Sequence, residues 1–309
     1  MKNCSVGIWL AIIGSFFWGA AGTVAQFLFH SYNVTPQWLV GIRLLTSGFL
    51  LLAFVLFVKK EPVLNIWRHK DSVMLLLAFS FLGMLPSQFT YFMAIKYGNA
   101  ATATILQFTG PLFIIIFIAL RQLKLPRRID CISIIIAMIG TILLVTKGHL
   151  NTLSLAPTAV FWGLLAGLSQ ASYTLIPKKL LSNFSALIVV GWAMLLGSIP
   201  FIPIVSTHQL TVFNWKIALS LAFIIIFGTI LAYLFYILSL KFIEPAITGV
   251  LSAFEPLTAT VLSVTLLHLH LSFIEIVGAF LIILTAFLQV WPTQQFKIQK
   301  NIKSSKKNS

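Results

Sequence analysis

Apolar runs of about 20 residues recur along nearly the whole chain. An α-helix needs a run of that length to cross the roughly 30 Å hydrocarbon core of a bilayer. Ten can be marked, at about 6–29, 36–58, 72–95, 100–120, 129–146, 156–177, 184–206, 215–240, 245–267 and 272–291. The connections between them are short, the longest falling around 59–71 and 207–214. Of 309 residues, 59% are hydrophobic and 9% charged. The reading is therefore an all-α membrane protein of ten transmembrane helices, multi-pass in the cytoplasmic membrane. The first run is too long for the apolar core of a signal peptide and lacks a small-x-small cleavage site, so it is read as a retained span.

The formal net charge of +15 would suggest a nucleic-acid partner in a soluble chain. Here it is explained by the enrichment of Lys and Arg on the cytoplasmic side of membrane proteins. With the N-terminus placed inside, the inner connections and tail hold Lys2, Lys59, Lys60, Arg68, Lys70, Arg121, Lys124, Arg127, Arg128, Lys178, Lys179, Lys241 and the five lysines from Lys297 to Lys307. The outer side holds only Lys96, Lys147 and Lys216, and Arg43 lies within a span. Both termini are thus expected in the cytoplasm, and residues 294–309 form a disordered basic tail drawn to anionic headgroups.

The run at 245–267 carries Glu255 near its centre, followed by Pro256. A carboxylate at that depth costs about 2.5–3.5 kcal/mol on insertion scales, so it contributes nothing to insertion. Proline lacks an amide hydrogen, which predicts a freed carbonyl a turn earlier, near Ser252. An acid and a free carbonyl at one depth point to a polar cavity.

Sequence features repeat. Phe17-Trp18-Gly19 with Gln26 matches Phe161-Trp162-Gly163 with Gln170, 144 residues on. Tyr91, Lys96 and Pro111-Leu112 match Tyr236, Lys241 and Pro256-Leu257, 145 residues on, as Asp130 does Glu275. Each half then holds five spans, residues 1–147 and 148–293. Five is odd, so the second half enters the membrane inverted, and Lys96 falls outside while Lys241 falls inside. Inverted repeats are a recurring transporter plan, with the site near the midplane between the halves.

Ten spans, the five-plus-five inverted repeat, the Phe-Trp-Gly segment opening each half, Gly110-Pro111-Leu112 and Glu255-Pro256-Leu257 together resemble the EamA-like branch of the drug/metabolite transporter superfamily. The resemblance implies an exporter or exchanger of small metabolites such as amino acids or amines, with a central cavity lined by spans one, three, four, six, eight and nine. The chain departs from the family where a glutamate is common near the ends of spans four and nine. It reads Arg121-Gln122-Leu123-Lys124 and His268-Leu269-His270 there.

Candidate substrate-binding residues follow. Glu255 is placed to take a proton or a cationic group, or to bond a neighbouring helix. Arg43 is placed to meet a substrate carboxylate, to pair with Glu255 or to snorkel outward. Gln26 and Gln170 are repeat-related amides that either contact substrate or bond between helices; Gln107 is similar, as is Gln88. Trp18, Trp162, Tyr91 and Tyr236 are candidate aromatic walls, with core packing as the rival reading. Pro86, Pro111 and Pro256 are expected to kink their helices and are candidate hinges.

No Walker-type glycine loop is present, so ATP hydrolysis is not expected. Ser169 in Gly-Leu-Ser-Gln lacks the second glycine of a nucleophile elbow, and the six histidines sit at span ends or loops; an intramembrane enzyme is not expected. His268 and His270 are two residues apart and share no helix face, so no metal site is assigned. The expected partners are a small-molecule substrate, protons as the candidate coupling ion and the lipid bilayer, with no cofactor and no nucleic acid. A channel or a non-transporting sensor is the alternative, and monomer and homodimer both remain open.

Overall fold

The computed structural model describes residues 2–123, 128–147, 155–207, 214–239, 242–243, 248, 251–285 and 288, and among these there is no β-strand. Seven helices are long and apolar enough to span a bilayer: α1 (Cys4–Ser31), α2 (Pro36–Lys59), α3 (Lys70–Tyr97), α4 (Ala100–Arg121), α6 (Pro157–Asn183), α7 (Ala186–Thr207) and α8 (Trp215–Ser239). Three shorter apolar helices stand at the remaining expected positions: α5 (Cys131–Leu144), α9 (Phe254–Leu266) and α10 (Phe273–Thr285). The tail expected at 294–309 lies outside the described residues, as do Lys241 and Glu244.

Local chemistry starts the helices where the hydropathy pattern does. Thr35 accepts from the Trp38 amide ahead of Pro36, a proline at the first helical position where no amide hydrogen is needed. Asn99 Oδ1 accepts from Thr102 N at 2.8 Å to open α4, and Asn214 Oδ1 from Ile217 N at 3.0 Å to open α8. At α10 the cap is reciprocal: Ser272 N donates to Glu275 Oε2 at 2.7 Å and Glu275 N to Ser272 Oγ at 3.3 Å. The buried Glu275 also pairs with Lys147 at 3.3 Å, tying the end of α5 to the start of α10.

The packing pairs run in a pattern. α3 lies along α6, and α8 along α1; α4 packs on α6, and α9 on α1; α2 faces α7, and α4 meets α9. Each contact maps onto another, or onto itself, when every helix is advanced by five. Several crossings are backbone on backbone. A β-carbon on Gly48 of α2 would stand 2.9 Å from the carbonyl oxygen of Gly191 on α7. One on Gly278 of α10 would stand 2.6 Å from the carbonyl oxygen of Gly140 on α5. Small residues at such crossings let helices gain dispersion contacts that lipid cannot better.

Several helices are interrupted, α2 by a π-turn at Val55–Lys59, α6 by a turn at Ile176–Pro177 and α7 by a 3-10 turn at Ile199–Phe201. α3 contains a π-helical segment at Phe79–Met84 and α8 another at Ile226–Leu231. Gly83 and Gly228, 145 residues apart, lie inside them. α4 breaks at Phe108–Thr109 before resuming at Gly110, and α9 begins at Phe254 after a turn at Ser252–Ala253.

This corrects the simple kink expected of the prolines. Pro111 and Pro256 sit in the first turn of a fresh helical segment, where no amide hydrogen is required, and Pro86 opens the stretch after the π-segment. The carbonyl expected to be free at Ser252 accepts from Glu255 N at 2.9 Å, because the chain closes an i to i+3 turn there.

The main core gathers Leu28, Phe29, Trp38, Leu39, Leu44, Phe92 and Ile95. Outward positions are also apolar, among them Trp9, Phe49, Phe57, Phe161, Trp215, Phe273 and Phe280. Water would penalise such a surface over so much of the molecule; lipid does not.

Candidate functional site

The interruptions of α3, α4, α8 and α9 surround a single space. A cavity of about 480 Å³ lies where α1, α2, α3, α4, α6, α7, α8 and α9 converge. Seven expected site residues line it: Trp18, Arg43, Tyr91, Gln107, Gln170, Tyr236 and Glu255. Pro111 lines it too. Residues that sequence reasoning ranked lower or missed complete the wall, chiefly Gln88, Phe79, Tyr173, Tyr233 and Ser252.

Helical spacing brings these groups together. Gln88 and Tyr91 are three apart on α3, and Tyr233 and Tyr236 three apart on α8, so each pair shares a face. The pairs are themselves 145 residues apart. That spacing was the available signal for Tyr233. Tyr173 had none beyond lying three residues after Gln170 on α6.

Aromatic rings form most of the wall. Trp18 meets Tyr233 and Tyr236, each with ring centroids 5.2 Å apart. Phe79 meets Tyr173 at 5.3 Å, and Tyr91 meets Phe92 at 5.3 Å. The Tyr91 hydroxyl bonds Thr104 Oγ1 at 3.0 Å. Gly22 leaves room for the Tyr91 hydroxyl, which presses where a β-carbon would stand.

The two charged groups in the wall differ in how they are held. Arg43 is 5% exposed, and all three of its nitrogens donate within the protein. Nε reaches Thr229 Oγ1 at 2.6 Å, Nη1 reaches Gln88 Oε1 at 2.8 Å, and Nη2 reaches the Gly228 carbonyl at 3.3 Å. Thr229 and Gly228 belong to the π-segment of α8, whose loosened ladder makes that carbonyl available. The guanidinium also lies 5.2 Å from the Phe92 ring centroid. Snorkelling to the interface is thereby ruled out.

Glu255 differs. Among the described residues no hydrogen bond reaches its carboxylate, and no ion pair within 4.0 Å joins it to Arg43. It occupies the first turn of α9, where the helix dipole favours negative charge. Gly19 of α1 packs directly on its carbonyl oxygen, fixing the height of the acid by backbone contact.

Two expected site residues stand outside the lining. Gln26 is 8% exposed and its Oε1 accepts the Ala100 amide at 2.7 Å, satisfying a donor at the start of α4. Trp162 packs on Phe89 at 5.7 Å and on Phe161 at 5.3 Å. Gln170, the partner of Gln26 in the repeat, does face the cavity, with only a long 3.5 Å contact from Gln107 Nε2.

The cavity has a direction. It reaches Pro177, Leu181 and Ala186 at the α6–α7 turn, beside Lys178 and Lys179. Where α1 and α3 end and α4 begins, Gln26 bonds the Ala100 amide, Lys96 Nζ donates to the Phe29 carbonyl at 3.3 Å, and Phe29 packs on Phe92 at 6.0 Å.

Comparison with known proteins identifies the family and the fold. The profile of the EamA-like transporter family matches residues 5–146 and, again, 157–291. The chain is 32% identical over 291 residues to the uncharacterized inner membrane transporter YicL of Salmonella typhimurium, covering 93% of this chain and 96% of that protein. It is 26% identical to the uncharacterized transporter YetK of Bacillus subtilis, over 82% of this chain and 78% of the relative. A solved crystal structure 17% identical superposes with a TM-score of 0.62, over 96% of this chain and 98% of the other, which shows a shared fold.

Proposed function

The chain belongs to the EamA-like transporter family, and on that premise we propose that it is a secondary transporter carrying a small metabolite across the cytoplasmic membrane by alternating access, in the export direction. One observation carries the reading: seven residues chosen for depth, repeat position or chemistry line one cavity between elements of both halves.

The halves are read as inverted five-helix repeats, residues 1–147 and 148–293, giving ten spans with both termini cytoplasmic. The five-position shift that maps contacts onto one another supports this, as do the paired π-segments, the paired breaks before Pro111 and Pro256, and the double match of the family profile. On that orientation the cavity opens toward the cytoplasm through the α6–α7 turn and is sealed toward the outside by Gln26, Lys96 and Phe29. In the other state the seal would form on the α6 side, with Gln170 taking the bonding role of Gln26. Pro86, Pro111 and Pro256 flank the interruptions at which such a movement would bend.

Glu255 is the coupling group in this reading. A carboxylate without a protein partner is free to exchange a proton, and exposure to each side in turn links that exchange to substrate movement. The test is uptake into proteoliposomes at a series of internal and external pH values. Glu255→Gln is expected to remove the pH dependence; a variant that keeps the wild-type dependence defeats the coupling role.

A further inference from the structure

The cavity's two charges invite a simple reading, in which Arg43 takes a substrate carboxylate and Glu255 an amine. The hydrogen-bond inventory argues against it. Each nitrogen of Arg43 already donates once to a protein acceptor, two of the three bonds shorter than 3.0 Å, which uses three of its five N–H hydrogens, and Phe92 covers the guanidinium. A carboxylate would have only the two hydrogens left on Nη1 and Nη2, on a guanidinium that Thr229, Gln88 and the Gly228 carbonyl hold in place. Among the described residues Glu255 has no hydrogen-bond or ion-pair partner to leave.

We propose that the cavity selects organic ammonium ions over the corresponding amino acids, because its carboxylate is uncommitted among the described residues whereas its one cation is held by three protein acceptors and covered by Phe92. The inference rests on the transporter reading for its location and goes beyond it in naming a substrate class. Three features carry it. The uncommitted charge in the wall is a carboxylate. The surrounding surface is aromatic, with Trp18, Tyr233 and Tyr236 on one side and Phe79, Tyr91 and Tyr173 on others, and aromatic faces attract cations, Trp most strongly. The volume of about 480 Å³ lies within the range of small-molecule sites. Gln107, Gln170 and Ser252 add neutral polar atoms that orient an N–H group without contributing charge.

A site built to pair one charged group discriminates strongly against a ligand that brings a second, unpaired one, since a buried charge without a partner is costly. The measurement is titration calorimetry on the purified full-length protein with three matched probes: phenylethylamine, phenylalanine and phenylacetate. The expected order is phenylethylamine alone, or at least tenfold tighter than phenylalanine, with phenylacetate silent. Glu255→Gln should weaken the amine at least tenfold, and Glu255→Asp should restore part of the loss. Equal binding of phenylalanine, or binding of phenylacetate, overturns the proposal. So does a folded Glu255→Gln variant that holds the amine as well as wild type. The probe order on the unaltered protein decides the matter even where the variants do not fold.

Flux in proteoliposomes separates the two levels. Saturable movement of an amino acid or an anion, without amine binding, overturns the ammonium selectivity and leaves a transporter. Amine binding without saturable flux keeps the selectivity and overturns the transporter.

Discussion

The sharpest test of this arrangement uses two glutamines that occupy matching places in the two halves. Gln26 Oε1 accepts the buried Ala100 amide at 2.7 Å, whereas Gln170 faces the cavity with one 3.5 Å contact. Gln26→Leu keeps nearly the same volume and removes the acceptor. It leaves an orphan donor at the first turn of α4, which costs about 1–3 kcal/mol when buried. Hydrogen bonds between membrane helices average nearer 0.6 kcal/mol, with a maximum of about 1.7. An intermediate loss of about 1.5 kcal/mol follows. At about 2–4 °C per kcal/mol for a chain of this order of size, Gln26→Leu should lower Tm by about 3–6 °C. Gln170→Leu removes a long contact beside a solvated space and should shift Tm by less than about 1 °C. Gln26→Glu keeps an acceptor and should lie between wild type and the leucine variant. The assay is thermal unfolding of purified protein in one detergent. If Gln26→Leu and Gln170→Leu melt together, the two ends of the molecule are equivalent and the closed end has been misassigned.

Two further outcomes follow from backbone geometry. Gly278→Val should destabilise by several kcal/mol and reduce recovery of monodisperse protein in size-exclusion chromatography, because even its β-carbon would meet the Gly140 carbonyl at 2.6 Å and the Leu144 amide nitrogen at 2.8 Å. Leu123, 92% exposed, ends α4 in the left-handed conformation with φ of 50°; Leu123→Gly should therefore raise stability by about 0.5–1 kcal/mol in the same melting assay.

The membrane-spanning plan was legible because hydropathy and helix length are read directly from composition along the chain. The cavity was legible in part because polar groups within apolar runs are few, so Arg43, Gln107, Gln170 and Glu255 stood out. What escaped was finer. Gln26 was indistinguishable from Gln170 in sequence, since the two share a place in the repeat and differ in the contacts that tertiary packing gives them. The left-handed ends at Leu123 and His268, with φ of 50° and 52°, gave no signal because neither carries the glycine or asparagine that usually marks such a position. The committed state of Arg43 depends on the π-segment of α8, and periodicity rules written for 3.6 residues per turn do not see a π-turn.

Those wide turns have an arithmetic of their own. In a regular helix each residue advances the side-chain direction by about 100°. The π-segments at Phe79–Met84 and Ile226–Leu231 each hold one residue more than the ladder around them needs. That surplus sets the aim of everything downstream, Gln88 and Tyr91 on one helix and Tyr233 and Tyr236 on the other. Dropping a single apolar residue from either segment would leave length, hydropathy and span count almost unchanged, yet would swing these polar groups a quarter-turn out of the chamber. A deletion that looks silent on a hydropathy plot would then blind the binding site.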